Sequence, residues 1–389
     1  VVPIGNFTPE GVDDTNYLDC EKKEAMQAVI RQVLKSYGYQ QIMTPTFEYY
    51  DLFQNIDTAI DKDQMYKLID SNGKILVLRP DATIPIARMA ALSSESGKDY
   101  KKYMYFTNVF RSEDFRAGGR REFLQAGVEY MGNANCEADA EVVATAVKAL
   151  LATGFSNIRV DLGNVNYFNG LLDELNISDM GKGVLRHLVE SKNFAELEKF
   201  LERIETDDSI KKVVLALPFL YGDFKKTVSK ARKIARNNRM HQAINNICEI
   251  YDILEAYGYA SFVYADMGFV NALDYYSGMI FKVYLGNMGA PAASGGRYDG
   301  LVEKFGRKIP ATGFGLNIDG IYEAALKEDI WDHGTNKADY AVFCTKDTMA
   351  QGIIKAEALR KTGSSVLLYV DKKPEQVKVK KSIVIDQSY

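Results

Sequence analysis

In the segment REFLQAGVEYMG, alternation places Phe123, Gln125, Gly127 and Glu129 on one face of a strand and Leu124, Ala126, Val128 and Tyr130 on the other. The first face carries an amide and a carboxylate beside a glycine. A carboxylate on a strand is costly to bury unless it meets a cation or a donor, so this face is either open to solvent or the floor of a polar pocket. Further on, LDYYSGMIF sets Tyr275 and Tyr276 on opposite faces of a strand, and the glycine-flanked SGGRYDGL follows. Paired tyrosines are commonly packing residues, whereas glycines let a backbone approach a ligand closely. In LRPDATIPIARMAA a strand ends at Arg79 and Pro80, and Asp81 or Thr83 either simply caps the next helix or also presents polar atoms at its N-terminus. A basic run, Lys225, Lys226, Lys230, Arg232, Lys233, Arg236 and Arg239, is spaced to wrap around a helix. It is a solvated surface or, alternatively, a face for RNA or an acidic partner.

The common standalone catalytic signatures are missing: no P-loop, no GxGxxG after a strand, no GxSxG elbow and no HExxH occurs. Cys20, Cys136, Cys248 and Cys344 lie about a hundred residues apart, and with His187, His241 and His333 they form no zinc spacing. The expectation is reduced thiols in a cytoplasmic protein, with no metal or cofactor implied.

The elements that must carry these residues follow from periodicity. From Leu18 to Tyr37, Met26, Val29, Ile30, Val33, Leu34 and Tyr37 recur at three and four, and Gly38 stops an amphipathic helix. The extended segment QQIMTPTFEYYDLF follows, then alternating runs around KILVLRP and KYMYFTNVFRSE, a Gly-rich loop RAGGR, and the Gln125–Glu129 strand. Strand, loop, strand without a helix between means antiparallel pairing. Residues 137–153 form a helix with Val143, Ala146, Val147, Leu150 and Leu151 on one face and Gly154 past its end. The stretch from about 168 to 257 is helix-period, charged and glycine-poor, a helical insertion. Strands resume at FVYADMGF and LDYYSGMIFKVYLG, and SGGRYDGL is turn-rich. ATGFGLNIDGIYEAALKE is a strand running into a helix, and the tail is strand, helix, strand.

With 389 residues, 47% apolar and 26% charged, the chain is long enough for two or three domains, and its composition is that of a folded globular protein. Lys+Arg 48 against Asp+Glu 52 leaves a net charge of -4, so no global field favours nucleic acid, and none is expected as a partner. No run of about 18 apolar residues occurs, so no membrane association is expected. VVPIGNFTPEGVDD lacks a basic n-region and an apolar h-region, so no secretory signal is expected.

The order TPTFEYYDLF, LRPDAT, VFRSEDFRAGGRREFLQAGVEYMG, LDYYSGMIF, SGGRYDGL and PATGFGLNID resembles the histidyl-tRNA synthetases over about residues 4–325. The resemblance implies an α+β fold, class II aminoacyl-tRNA synthetase-like, with a mixed, mainly antiparallel six-stranded sheet flanked by helices. It implies domains at 1–325, with the helical insertion at about 168–257, and at 336–389, a small or truncated α/β domain roughly half the size of a typical anticodon-binding domain of that family. It places Asp81, Thr83, Arg111, Gln125, Glu129, Tyr275 and Tyr276 on the family's histidine pocket, with Asp81, Thr83 and Gln125 toward the amino group and Glu129 and Tyr276 toward the imidazole.

Three departures from the synthetase pattern matter. Gly118 and Gly119 stand where a motif-2 arginine meets ATP phosphate, with Arg120 and Arg121 beside them as alternatives for that role. Asn271 and Ala272 stand where the synthetases have Arg-Gly before the LDYY stretch, its arginine bridging the histidine carboxylate and the ATP α-phosphate. Asn317, Ile318, Asp319 and Gly320 stand where Gly-Leu-Glu-Arg closes the third motif, its arginine stacking on adenine. Activating a carboxylate with ATP gathers anions, and preorganised cations stabilise that transition state by ~3 kcal/mol or more each. Without them the core, with LRPDATIPIAR, EADAEVVATAVKAL and VDLGNV, is similar to the regulatory subunits of short-form ATP phosphoribosyltransferase. That resemblance implies a subunit without catalysis of its own, with no catalytic residues, which dimerises with itself. It further implies a hetero-octamer with the short catalytic subunit, activation of the first step of histidine biosynthesis, and feedback inhibition by free histidine. The alternatives are a catalytic histidyl-tRNA synthetase with diverged motifs and a non-catalytic tRNA-binding sensor.

Overall fold

Asn16 accepts hydrogen bonds from the amides of Leu18 (3.0 Å) and Asp19 (3.1 Å) and caps the helix Tyr17–Ser36, which Gly38 ends in a left-handed turn at φ +83°. Its buried row is Met26, Ile30 and Leu34, with Val29, Val33 and Tyr37 flanking it half-buried. This computed structural model describes residues 8–54, 56, 62–93, 100–112, 120–270, 275–286, 288–331, 338–371 and 379–385. The chain forms two compact units, Val1–Trp331 and Asp332–Tyr389.

In the first unit the described strands form a sheet in the order Gln40–Gln41, Lys101–Phe110, Glu122–Met131, Ala311–Asn317, Ala293–Arg297, Met279–Leu285, Ile158–Asn164, Val263–Asp266, Tyr221–Asp223. The six strands from Lys101–Phe110 to Ile158–Asn164 pair antiparallel throughout. The expected sheet of six is therefore extended to nine: Gln40–Gln41 and Val263–Asp266 add in parallel and Tyr221–Asp223 antiparallel. Val263–Asp266 is the strand expected at FVYADMGF and Gln40–Gln41 opens the segment expected to be extended, whereas Tyr221–Asp223, with three residues, is too short for alternation to announce it. The last of them, Tyr221–Asp223, lies within the stretch expected to be helical, which otherwise carries six α-helices from Val165–Asp173 to Asn238–Ala256 with short connections between them.

SGGRYDGL differs from its expected turn. Ala293–Arg297 is a central strand and only Asp299–Glu303 is a short helix. A Cβ on Gly295 would meet the backbone of Gly313 and Phe314, and one on Gly296 the Tyr276 ring at 2.9 Å, so these glycines serve close packing rather than a turn. The helix Cys136–Ala152 packs against the sheet, Tyr17–Ser36 and Asn238–Ala256, and is buried well beyond the single face its periodicity marked.

KILVLRP pairs away from the main sheet. Ile75–Leu78 is the middle of a separate antiparallel sheet with Phe47–Tyr49 and Lys67–Ile69 on its edges, and TPTFEYYDLF turns into the helix Tyr50–Gln54 after three strand residues. The basic run does not wrap one helix. Phe224–Ile234 buries Phe224, Thr227, Val228 and Ala231 and exposes its cations, while Arg236 and Arg239 lie beyond it. The second unit is a parallel sheet of Ala338–Cys344 between Val366–Val370 and Val379–Val384, with the helix Met349–Lys361 between the first two in sequence. Gly352 lets that helix sit close to Cys344, whose Sγ a Cβ would meet at 2.6 Å. No described helix is long and apolar enough to cross a membrane.

Candidate functional site

The strand Glu122–Met131 lies between Lys101–Phe110 and Ala311–Asn317, and its alternation resolves as a polar pocket floor. Ala126 and Val128 are fully buried in the core, while Gln125 and Glu129 line a cavity of about 180 Å³ on the opposite face. Register sets Gly127 between Tyr105 and Gly315, and Glu129 beside Gly313. A Cβ on Gly127 would run into the Tyr105 phenol, and one on Gly313 into the Glu129 carboxyl. Glycine at both positions leaves room for the larger side chains that face the ligand space.

All seven residues marked from the sequence line this one cavity: Asp81, Thr83, Arg111, Gln125, Glu129, Tyr275 and Tyr276. Arg79 fixes the approach to the first two. Its buried guanidinium donates to the carbonyls of Asn108 (2.8 Å), Thr44 (2.7 Å) and Pro45 (3.1 Å), tying the small sheet to the large one. Asp81 then accepts the amide of Ile84 at 3.1 Å at the start of the helix Thr83–Leu92, so it caps and faces the cavity at once. Burial pushes the Asp81 carboxyl up and Arg111 pulls it down. Arg111 donates to the Pro80 carbonyl at 2.8 Å and lies over the Phe123 ring, 5.5 Å to the centroid.

Tyr275 and Tyr276 do not flank a strand as their spacing suggested. They precede Met279–Leu285 and both line the cavity, with ring centroids 4.9 Å apart. The chain there is held by partners distant in sequence: Ser277 N donates to Arg297 O (2.8 Å), Val165 N to Gly278 O (3.0 Å) and Asn166 Nδ2 to Ser277 O (2.8 Å). Arg239, from the basic run, donates to Asn166 Oδ1 at 2.8 and 3.1 Å, so one of those cations supports this loop. Residues 271–274 lie outside the described residues.

Glu129 is 1% exposed. Its Oε2 accepts the Tyr298 hydroxyl, and Oε1 has no hydrogen-bond partner. Burial pushes the carboxyl up to about 8, opposed by the Tyr298 and Thr83 hydroxyls. Tyr105, which donates to Gln125 Oε1 at 3.4 Å, and Tyr298 are pushed well up by burial and by Glu129, so both remain neutral donors. Sequence reasoning did not single out these two tyrosines. The signal for Tyr105 was its place on the strand paired with the Glu129 strand; Tyr298 lay inside SGGRYDGL, read there as a turn.

A second cavity of about 580 Å³ adjoins the first and shares Arg111, Gln125, Ser294 and Gly315 with it. Its other polar lining includes Arg120, Asn317, Glu323 and Lys327. Its size is within the ~300–1,000 Å³ range of sites for larger small-molecule ligands, and the first is below it. Among the described residues no group of three or more His, Cys, Asp or Glu could hold a metal ion.

Residues 11–321 match the histidyl-tRNA synthetase family model. The chain is 38% identical over 360 residues to an ATP phosphoribosyltransferase regulatory subunit of Acetivibrio thermocellus, covering 92% of this chain and 86% of the relative. This chain belongs to the ATP phosphoribosyltransferase regulatory subunit family. A second member, from Clostridium acetobutylicum, is 33% identical over 347 residues, 89% of this chain and 85% of its own. A crystal structure of an ATP phosphoribosyltransferase regulatory subunit/histidyl-tRNA synthetase from Bacillus halodurans superposes with a TM-score of 0.88 at 30% identity, covering 100% of both chains. Histidyl-tRNA synthetase from Nostoc shares the fold alone, with a TM-score of 0.78 at 20% identity, covering 96% of this chain and 88% of its own.

Within this family frame one of the sequence departures is found at the second cavity among the described residues. Gly118, Gly119, Asn271 and Ala272 lie outside the described residues. The third departure is described. Asn317 caps the helix Ile318–Lys327 by accepting the Gly320 amide at 3.0 Å, Asp319 accepts Lys23 Nζ and the Leu124 amide, each at 2.7 Å, and Gly320 borders the cavity without a side chain. Arg120, the alternative for the motif-2 role, is bound by Glu323 at 2.6 Å, with Asp13 at 3.8 Å.

Proposed function

We propose that this chain is the non-catalytic regulatory subunit of a short-form ATP phosphoribosyltransferase. It assembles with the catalytic subunit as a hetero-octamer of four and four, raises its turnover in the first step of histidine biosynthesis, and carries histidine feedback through the smaller cavity. The observation that carries the non-catalytic reading is Gly320 at the rim of the larger cavity, together with Arg120 held by Glu323. Adenylate formation gathers phosphates and a carboxylate, and its transition state depends on cations free to meet them. Here a cation is replaced by a glycine at one point and already neutralised at another.

The smaller cavity supports the histidine reading by its chemistry. Asp81, Thr83 and Gln125 offer acceptors for an ammonium group, Arg111 a partner for a carboxylate, and Glu129 with Tyr276 a polar and aromatic seat for a ring. Reconstitution tests the assignment: the chain co-elutes with the cognate catalytic subunit, raises its turnover, and renders it sensitive to histidine. Histidine- and ATP-dependent pyrophosphate exchange by the chain alone stays at background; robust exchange would make it a synthetase instead.

The small sheet supports self-dimerisation. Phe47, Tyr49 and Leu68 are 54%, 52% and 42% exposed on one face, and register sets the half-buried Leu76 and Leu78 beside them. A contiguous apolar face of this kind suits a partner surface. Light scattering should give a dimer for the isolated chain and a monomer for Leu68→Asp.

A further inference from the structure

The smaller cavity contains two carboxyl groups, and only one is balanced by a cation. Asp81 faces Arg111 and accepts the Ile84 amide at 3.1 Å. Glu129 has hydroxyl partners in Tyr298, on Oε2, and Thr83 from the helix start, and it shares the cavity with the Tyr105 and Tyr276 phenols and the Asp81 carboxyl. No lysine or arginine among the described residues pairs with it, and Oε1 is without a partner. A buried carboxylate in that position, next to a second one, avoids the cost of its charge by holding a proton. Because Oε2 accepts from Tyr298, Oε1 is the oxygen left to carry it.

Resting on the reading that this cavity takes free histidine, we propose that Glu129 passes its Oε1 proton to the basic ring nitrogen of the bound ligand, so the pocket selects a small amino acid whose ring is a weak base. The O–H bond on Oε1 breaks, the nitrogen lone pair takes the proton to form N–H, and nothing is exchanged with solvent. The product is an imidazolium–carboxylate pair, which supplies the counter-charge that Glu129 lacks. An isosteric ring of lower basicity leaves the proton on Glu129 and forms only a neutral contact.

The proton inventory follows. A free imidazole loses its proton near ~6.5, and Glu129 does so at about 8. Between those values ligand and site together bring one proton and the complex keeps one, so affinity is flat with pH. Below the window a proton must leave and above it one must enter, and affinity falls on both sides.

Calorimetry of the full chain with L-histidine near pH 7.2, in phosphate and in Tris, reads the inventory directly. The expected result is the same heat in both buffers, and binding about tenfold or more tighter than that of triazolylalanine, an isostere with a less basic ring. Glu129→Gln should lose that discrimination and the falling upper limb of the pH profile. Tyr298→Phe removes a hydrogen bond that holds the Glu129 carboxyl down, so it should move the upper limb to higher pH; it decides the matter if the glutamine variant does not fold. Exchange of a whole proton at pH 7.2, an unchanged profile in Glu129→Gln, or an unmoved upper limb in Tyr298→Phe would overturn proton transfer while leaving histidine binding intact. No binding of histidine at any pH would remove the underlying reading as well.

Discussion

The two adjoining cavities share Arg111, Gln125, Ser294 and Gly315, yet one charged group in each, Glu129 in the smaller and Arg120 in the larger, is in an opposite state. In the smaller one, Glu129 is buried, lacks a counter-charge and retains an open oxygen, so its charge balance awaits a ligand. In the larger one, Arg120 is satisfied by Glu323 and the position that resemblance assigns to an adenine-stacking arginine is Gly320. A pocket that keeps an unmet polar group retains a reason to bind, whereas a guanidinium already paired, as Arg120 is with Glu323, is less able to meet a phosphate. On the proposed function, recognition and catalysis would be separated on one sheet, between two cavities that share four lining residues.

The largest expected effect is on the unliganded chain as pH changes. The Glu129 carboxyl rises from 4.5 to about 8 on folding, so the folded state holds a proton that the unfolded state has released across that window. Stability from this group is full below the unfolded value and is lost as pH rises through about 8. Urea midpoints of wild type should fall between pH 5 and about 8.5 relative to Glu129→Gln, by on the order of 4 kcal/mol at most. Asp81, Asp139 and Asp266, which burial also pushes up, contribute in the same direction to both proteins, so the difference between the curves isolates Glu129. Parallel curves would mean that the smaller cavity is as well balanced as the larger.

A paired substitution sharpens the comparison at the level of packing. Gly313→Ala places a methyl against the Glu129 carboxyl and the Val128 carbonyl, backbone that cannot withdraw. The expected cost is about 1–3 kcal/mol in chemical denaturation, with loss of histidine binding. Gly320→Ala, across the shared wall, meets Asn317 Nδ2 and Met288 Cε at 3.1 Å, the ends of two side chains that can yield. In the helix Ile318–Lys327 alanine should be neutral or stabilising by up to about 1 kcal/mol. Equal losses would show that the two walls are equally tight.

What the sequence disclosed, and what it hid, follows the same physical division. Gln125 and Glu129 were legible because a strand buried on one face and lining a cavity on the other keeps period two. Asp81 and Thr83 were legible as a helix start after a strand end, and the resemblance brought in Arg111. The mutual placement of Tyr275 and Tyr276 was not legible, since it is set by Val165, Asn166 and Arg297, which hold Ser277 and Gly278 from other parts of the chain. The strand character of Ser294 to Arg297 was hidden by two glycines whose purpose is close sheet packing, a role that composition alone cannot separate from a turn. Of the short strands at the sheet ends, Val263–Asp266 was legible in the alternating FVYADMGF, while the three-residue Tyr221–Asp223 lay hidden in a helix-period stretch.

The smallest expected effect tests the larger cavity by releasing its arginine. Arg120 and Glu323 are 32% and 47% exposed, so their 2.6 Å pair is screened by solvent and should contribute only about 0–1 kcal/mol. Glu323→Gln should therefore leave the urea midpoint nearly unchanged while freeing a guanidinium at the cavity wall, with Asp13 at 3.8 Å as its remaining carboxylate. A freed cation raises affinity for phosphate-bearing ligands modestly, which equilibrium dialysis with ATP can read. It should still not restore pyrophosphate exchange, because positioning an adenine and meeting an α-phosphate are separate tasks and Gly320 supplies no side chain for the first. Exchange appearing in this single variant would show that the larger cavity is an inhibited active site held off by one carboxylate, and the contrast between the two cavities would become one of regulation rather than loss.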